Sequence, residues 1–163
     1  MNANFNNFKC DMIITNDEYE FIDPQKNIYV TLYAGDCLIK MKEIKDDSID
    51  LILCDLPYGS TKCKWDIIID LNKLWVEYKR IIKKPHGVIL LFGQQPFTTK
   101  LISSNYDWYK YNMIWKKNKT TQFLLANYRP MKCTEDICVF SPGGAAAASR
   151  KKGNMVYVFT KPG

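Results

Sequence analysis

Four consecutive residues, Asp55-Leu56-Pro57-Tyr58, place a carboxylate, a backbone carbonyl, a rigid turn and an aromatic ring within one short stretch. These groups suit the methylation of an exocyclic amine on a nucleobase. Such a nitrogen is a poor nucleophile because its lone pair is delocalised into the ring. Two acceptors aimed at its two N–H groups favour pyramidal geometry and free the lone pair. Asp55 can supply one acceptor and the Leu56 carbonyl the other. Tyr58 can stack on a base that has left its helix. Pro57 has no N–H and a fixed φ, which stiffens the turn. The electrophile would be a sulfonium methyl, so the reaction needs neither metal nor covalent intermediate. The other reading of Asp-x-Pro-Tyr is an ordinary turn after a strand.

The elements that must hold these residues follow from the hydrophobic pattern. Ile28 to Tyr33 is β-branched and aromatic and predicts a strand that stops at Ala34-Gly35-Asp36. Leu38, Met41 and Ile44 have the spacing of a short helix. Ser48 to Cys54 predicts a second strand, whose apolar run suggests burial on both faces as in a parallel sheet. After a polar loop from Asp55 to Asp66, Leu71, Leu74, Trp75, Tyr78, Ile81 and Ile82 form the apolar face of a helix. Pro85-His86-Gly87 ends it. Val88 to Phe92, closed by Gly93, is a third buried strand, and Pro96 opens a short helix through Ser103. Tyr109 to Trp115 alternates as a strand, and Glu135 to Phe140 reads as another.

Strands alternating with helices predict an α/β fold with a mainly parallel sheet. Ligands in such sheets bind beyond the carboxyl ends of the strands, where both Gly35-Asp36 and Asp55 to Tyr58 fall. Residues 1–23 read as a polar, acidic leader, 24–142 as the domain, and 143–163 as a linker and tail with Gly143-Gly144, four alanines and a basic Arg150-Lys151-Lys152.

The length of 163 residues fits one domain, and 47% hydrophobic with 25% charged residues is an ordinary globular mix. Charge is unevenly spread: residues 1–58 carry 5 Lys/Arg against 11 Asp/Glu, and residues 59–163 carry 18 against 6. The basic part suits a polyanionic partner such as nucleic acid, or serves as a solvated Lys-rich surface. Lys62 and Lys64 flank the Asp55 loop, and Lys116, Lys117 and Lys119 follow Trp115, where they could meet phosphates or remain a solvated charged loop. The six cysteines form no C-x-x-C pair and the single histidine, His86, lies in a turn, so no metal site is expected. A reduced, cytoplasmic protein is expected, without a secretory leader or a membrane-length apolar run.

The stretch from Tyr33-Ala34-Gly35-Asp36-Cys37 through Ser48-Ile49-Asp50-Leu51-Ile52 to Asp55-Leu56-Pro57-Tyr58-Gly59 resembles the DNA amino-methyltransferases that modify adenine N6 or cytosine N4. Their signature is Asp, Asn or Ser followed by Pro-Pro and an aromatic residue; here Leu56 stands for the first proline, which keeps the carbonyl and gives up some rigidity. The likeness continues through Trp65-Asp66, Leu74-Trp75, Tyr78 to Lys83, Gly87 to Gly93, Ile114 to Lys117, Arg129-Pro130 and Glu135 to Ile137, and so covers about residues 28–142. Phage and prophage modification enzymes look closest.

The resemblance implies a Rossmann-like S-adenosylmethionine-dependent methyltransferase fold with the catalytic motif ahead of the cofactor motif. It implies double-stranded DNA as partner and S-adenosyl-L-methionine as cofactor, with Asp36, between Gly35 and Cys37, at its adenine end. An acidic first signature residue leans towards adenine. The family's Phe-x-Gly-x-Gly loop has no counterpart in this sequence, and Thr160-Lys161-Pro162 is only a faint echo of the segment that leads to the cofactor half. The expected fold is therefore incomplete, with a partner chain or segment supplying that loop. Two other readings stay open: a non-catalytic DNA-binding remnant or subunit, and an RNA or protein amino-methyltransferase.

Overall fold

The computed structural model describes residues 11–15, 18–23, 28–121, 126–128, 130–143 and 155–159, with backbone alone for 11–15, 18–23, 28–29, 121 and 155–159. Cys10, Arg129, the alanine and Arg150-Lys151-Lys152 stretch, and Thr160-Lys161-Pro162 lie outside the described residues. The chain divides into two units, Met1–Glu43 and Ile44–Gly163.

The first unit is an antiparallel sheet in the order β1 (Asp11–Thr15), β2 (Glu18–Asp23) and β3 (Ile28–Tyr33), followed by the short helix α1 (Cys37–Lys40) and a 3-10 turn at Met41–Glu43. The stretch expected to be a leader thus carries two strands. Within it β1 holds the apolar run Met12-Ile13-Ile14, and in β2 Tyr19 and Phe21 alternate with Glu18 and Glu20, a short pattern that the surrounding acids obscure. Val30, Leu32 and Tyr33 of β3 are all at least 40% exposed.

The second unit holds a five-stranded sheet in the order β6-β7-β5-β4-β8, where β4 is Leu51–Asp55, β5 Val88–Gly93, β6 Tyr109–Thr121, β7 Lys132–Phe140 and β8 Met155–Phe159. Strand β4 runs parallel to β5 and β8, whereas β7 runs antiparallel to both β5 and β6. The sheet is mixed, which corrects the expectation of a mainly parallel one. The physical reason lies in the connections. Among the described residues no crossover helix stands between β6 and β7, and a short link joins antiparallel neighbours. The stretch expected as linker and tail contributes a strand: Leu51 to Asp55 pair with Met155 to Phe159.

Two helices fill the connections around β5: α2 (Leu71–Ile81) and α3 (Phe97–Ser104). Asp70 caps α2 by accepting from the amides of Asn72 and Lys73 at 3.0 and 3.3 Å, which satisfies two of the orphan N–H groups of the first turn. Its Leu71, Leu74, Trp75, Tyr78 and Ile81 are buried, as the 3–4 spacing predicts. Helix α3 packs on β5 and β7.

The sheet's buried face is made of rows that cross strands: Ile52, Ile89 and Phe140, then Cys54, Leu91 and Cys138. Trp75 lies against Phe140 at 4.9 Å between ring centroids and donates from its indole N–H to Ser104 Oγ at 2.7 Å. Residues between these rows, including Leu51, Leu53, Leu90 and Phe92, are only half-buried, so β4 alternates and is not buried on both faces as its apolar run suggested. Each large side chain taken fully into this core stabilises the fold by roughly 1.5–3 kcal/mol.

Candidate active site

Asp55 is the last residue of β4, and its Cα partner on β5 is Phe92. The inward alternation of Ile52 and Cys54 continues one step past the strand, so Leu56 is buried at 4% exposure while Asp55 faces out. Burial of the Leu56 side chain thus anchors the turn at the position where the signature of the resembling enzymes has a proline ring.

Two residues further on, the chain turns back. The Tyr58 hydroxyl donates to Asp55 Oδ1 at 2.8 Å. One face of the Tyr58 ring stacks on Phe97, with centroids 5.3 Å apart and planes 28° from parallel. Phe97 is itself 4% exposed in the first turn of α3. The phenol is therefore held between a carboxylate and a core residue. Burial, followed by the hydrogen bond to Asp55, raises its pKa well above the ordinary tyrosine value, so it stays protonated and keeps donating.

The following loop is wired by a single carboxylate. Asp66 is buried at 7% exposure, although Gly59 to Trp65 are all exposed. Its Oδ1 accepts from the Gly59 amide at 2.8 Å and its Oδ2 from the Thr61 amide at 2.6 Å. Asp66 donates its own backbone N–H to the Cys63 carbonyl at 3.0 Å. Burial pushes the Asp66 pKa up, but hydrogen bonds from the Thr61 hydroxyl and from the backbone of Thr61, Gly59 and Ser60 outweigh it, and the net shift is downward. Gly59 has φ +65°, and a Cβ there would lie 2.9 Å from Ile68 Cγ1, so both backbone and space demand glycine.

Asp36, Gly35 and Cys37 belong to the first unit. Asp36 is exposed and caps α1, its Oδ1 accepting from the Leu38 amide at 2.8 Å. Gly35 has φ +132°, a conformation that disfavours a side chain. Cys37 is half-buried, and burial, with the neighbouring Asp36 charge, pushes its thiol pKa up.

The lysines separate into two kinds. Lys62, Lys64, Lys116 and Lys119 are exposed. Lys117 is half-buried, forms an ion pair with Glu135 and sits 5.6 Å above the Trp115 ring. Trp115 in turn meets Phe92 edge-on at 5.7 Å. Among the described residues no group of His, Cys, Asp and Glu is placed to hold a metal ion. No described helix is long and apolar enough to cross a membrane.

Three residues of this site escaped the sequence. Phe97 carried only the signal of a helix start after Pro96. Asp66 stood out beside Trp65 without a role, because its partners are backbone amides that carry no sequence signal. Glu135 gave no hint that it would engage Lys117, since the pair comes from the register of two antiparallel strands.

No family model matches the chain. Solved structures do. TTHA0409 of Thermus thermophilus, assigned as a DNA modification methylase, matches with a TM-score of 0.53 at 18% identity, over 73% of this chain and 55% of its own. M1.HpyAVI matches with a TM-score of 0.50 at 17% identity, over 67% of this chain and 55% of its own. The complex of M1.HpyAVI with S-adenosylmethionine gives 0.50 at 16% identity, over 78% and 64%. The chain covers little more than half the length of two of these structures and 64% of the third. It shares an α/β fold with these solved structures, and the carboxyl edge of its sheet carries Asp55-Leu56-Pro57-Tyr58.

Proposed function

We propose that the edge of β4 serves methyl transfer from S-adenosyl-L-methionine to the exocyclic amine of a base flipped out of duplex DNA, with adenine N6 as the favoured acceptor. The observation that carries this reading is the Tyr58 hydroxyl on Asp55 with its ring backed by Phe97. One ring face is taken by Phe97, and a base would stack on the other. Asp55 and the Leu56 carbonyl would then accept the two N–H groups of the amine and direct its lone pair outward. The acidic first residue of the signature supports adenine over cytosine.

The cofactor, when bound, supplies an electrophilic sulfonium methyl. Asp36 suits its adenosine end: the helix cap uses Oδ1, and a carboxylate has acceptor capacity for further N–H or O–H donors. Gly35 leaves the backbone beside it without a side chain. The exposed Lys62, Lys64, Lys116 and Lys119 would neutralise phosphates, whereas Lys117 would have to exchange Glu135 for a phosphate to do the same.

The test is incubation of the folded chain with duplex DNA and methyl-labelled cofactor, followed by nucleoside mass spectrometry, with Asp55→Ala as control. N6-methyladenine that the control loses supports the reading, and N4-methylcytosine would change the acceptor. With no Phe-x-Gly-x-Gly loop in this sequence, turnover by the chain alone is expected to be weak or absent, so a folded chain that neither transfers a methyl group nor gives a calorimetric signal with the cofactor would sink it. The exposed lysines favour one alternative, a subunit that binds DNA without turnover. Salt-sensitive DNA binding by a chain that shows no calorimetric signal with the cofactor would select it.

A further inference from the structure

We propose that Asp66 is the positioning residue of this site, a carboxylate clamp that closes the loop from Gly59 to Asp66 and so sets the placement of Tyr58 against Asp55. The geometry is unusual for an acidic residue in a polar loop. The residues from Gly59 to Trp65 face solvent, yet Asp66 is turned inward and buried. A buried charge is costly unless hydrogen bonds satisfy it. Here both carboxylate oxygens accept backbone amides, at 2.8 Å from Gly59 and 2.6 Å from Thr61. Bonds of this kind, to an ionised acceptor, are stronger than neutral ones.

The clamp acts on the residue next to Tyr58. Gly59 is held by its amide on Asp66, and a Cβ there would lie 2.9 Å from Ile68 Cγ1, so a side chain would have to displace Ile68. Its φ of +65° redirects the chain directly after the tyrosine. With Leu56 buried on one side of Tyr58 and Gly59 tied on the other, the phenol is left few ways to leave Asp55. The same closure presents Lys62 and Lys64 outward from a loop of defined shape. The consequence for catalysis rests on the methyl-transfer reading; the clamp itself does not.

The experiment uses the full chain with nitrogen-15 label and carbon-13 tyrosine, the Tyr58 signal being assigned with Tyr58→Phe. Asp66→Asn replaces one acceptor oxygen by a donor and removes the charge. Hydrogen-exchange protection at Gly59 and Thr61 is expected to fall about 10- to 100-fold, the change that follows loss of a hydrogen bond to a charged group. The Tyr58 ring signal is expected to shift with it. Asp70→Asn is the control, because Asp70 also accepts two backbone amides, but at the start of α2. It should leave Gly59, Thr61 and Tyr58 unchanged. Should Asp66→Asn not fold, the wild-type chain is titrated with acid, and the Gly59 and Thr61 amide signals should move together with a midpoint below that of an ordinary carboxylate.

Unchanged Gly59 and Thr61 protection, or an unmoved Tyr58 signal, in folded Asp66→Asn would overturn the clamp, as would amides indifferent to acid in the wild type. Where the wild type transfers methyl groups, the variant should lose kcat while its cofactor KM stays close to wild type. A wild type that neither turns over nor binds the cofactor would count against the methyl-transfer reading, and the amide and Tyr58 signals would still decide the clamp.

Discussion

Asp36 lies in the turn between β3 and α1 and Asp55 is the last residue of β4, and the backbone uses them differently. Asp36 spends a carboxylate oxygen on its own chain two residues ahead, capping a four-residue helix that buries no side chain. Asp55 receives the hydroxyl of Tyr58, whose ring rests on Phe97 of a distant helix, and that helix in turn packs on β5 and β7. The first acid is supported by local geometry and the second by tertiary packing. A locally supported group can adjust to a ligand at little cost. One that is wired into the core is pre-organised, which is what stabilising a developing charge requires.

Perturbing the second region should therefore cost more than perturbing the first. The largest effect is expected at Asp55 itself. Asp55→Ala should lower methyl transfer by at least about 100-fold, comparable with removal of one preorganised electrostatic group, without loss of the fold. Labelled-methyl incorporation measures the first and circular dichroism the second. A variant that retains wild-type transfer would remove Asp55 from the chemistry.

Next comes Phe97→Ala, which empties a buried site and should destabilise the chain by about 3–5 kcal/mol. Denaturant unfolding reads the loss, and the Tyr58 ring signal should shift even in mild conditions where the variant is folded. An unshifted Tyr58 would mean that Asp55 alone holds the phenol.

The third prediction concerns pH. Asp66 has a folded pKa below its unfolded value of about 3.9, so its contribution to stability is fully present above that value and is lost as pH falls through the folded one. Tyr58 runs the other way. Its folded pKa is raised above about 10, so its contribution is present below pH 10 and is lost as pH rises further. Urea midpoints across pH should show both arms, with Asp66→Asn flattening the acid arm and Tyr58→Phe the alkaline one. An acid arm that survives Asp66→Asn unaltered would assign it to other carboxylates.

The smallest effect is expected at Asp36. Loss of the cap in Asp36→Ala should cost about 1 kcal/mol and stay confined to α1, leaving the global melting temperature nearly unchanged. Calorimetric affinity for S-adenosyl-L-methionine should fall in the same variant. A global destabilisation, with cofactor affinity intact, would reverse the comparison between the two acids.

Within the second unit, the helix over Leu71–Ile81, the strand over Val88–Gly93 and the turn at Asp55 to Tyr58 were all legible in the amino-acid pattern. They depend on apolar spacing, on proline and glycine, and on which residue types can accept a hydrogen bond. Those are local properties, carried by the residues that express them. Leu56 shows where such reading thins out: in the sequence it is a departure from a proline, and in the fold it is a buried anchor.

What only the tertiary structure decided are the long-range pairings. The mixed sheet arises because β7 pairs antiparallel with both β5 and β6. Strands β1 and β2 carry only short patterns, Met12 to Ile14 and Tyr19 with Phe21, and the ladder that runs from β1 through β2 to β3 settles them as strands. Lys117 meets Glu135 through strand register, Phe97 meets Tyr58 across the packing of α3, and Asp66 meets amides that every residue but proline possesses. Residue types and their local spacing thus singled out Asp55 and Tyr58, but only the folded chain could bring to them the groups that hold them still.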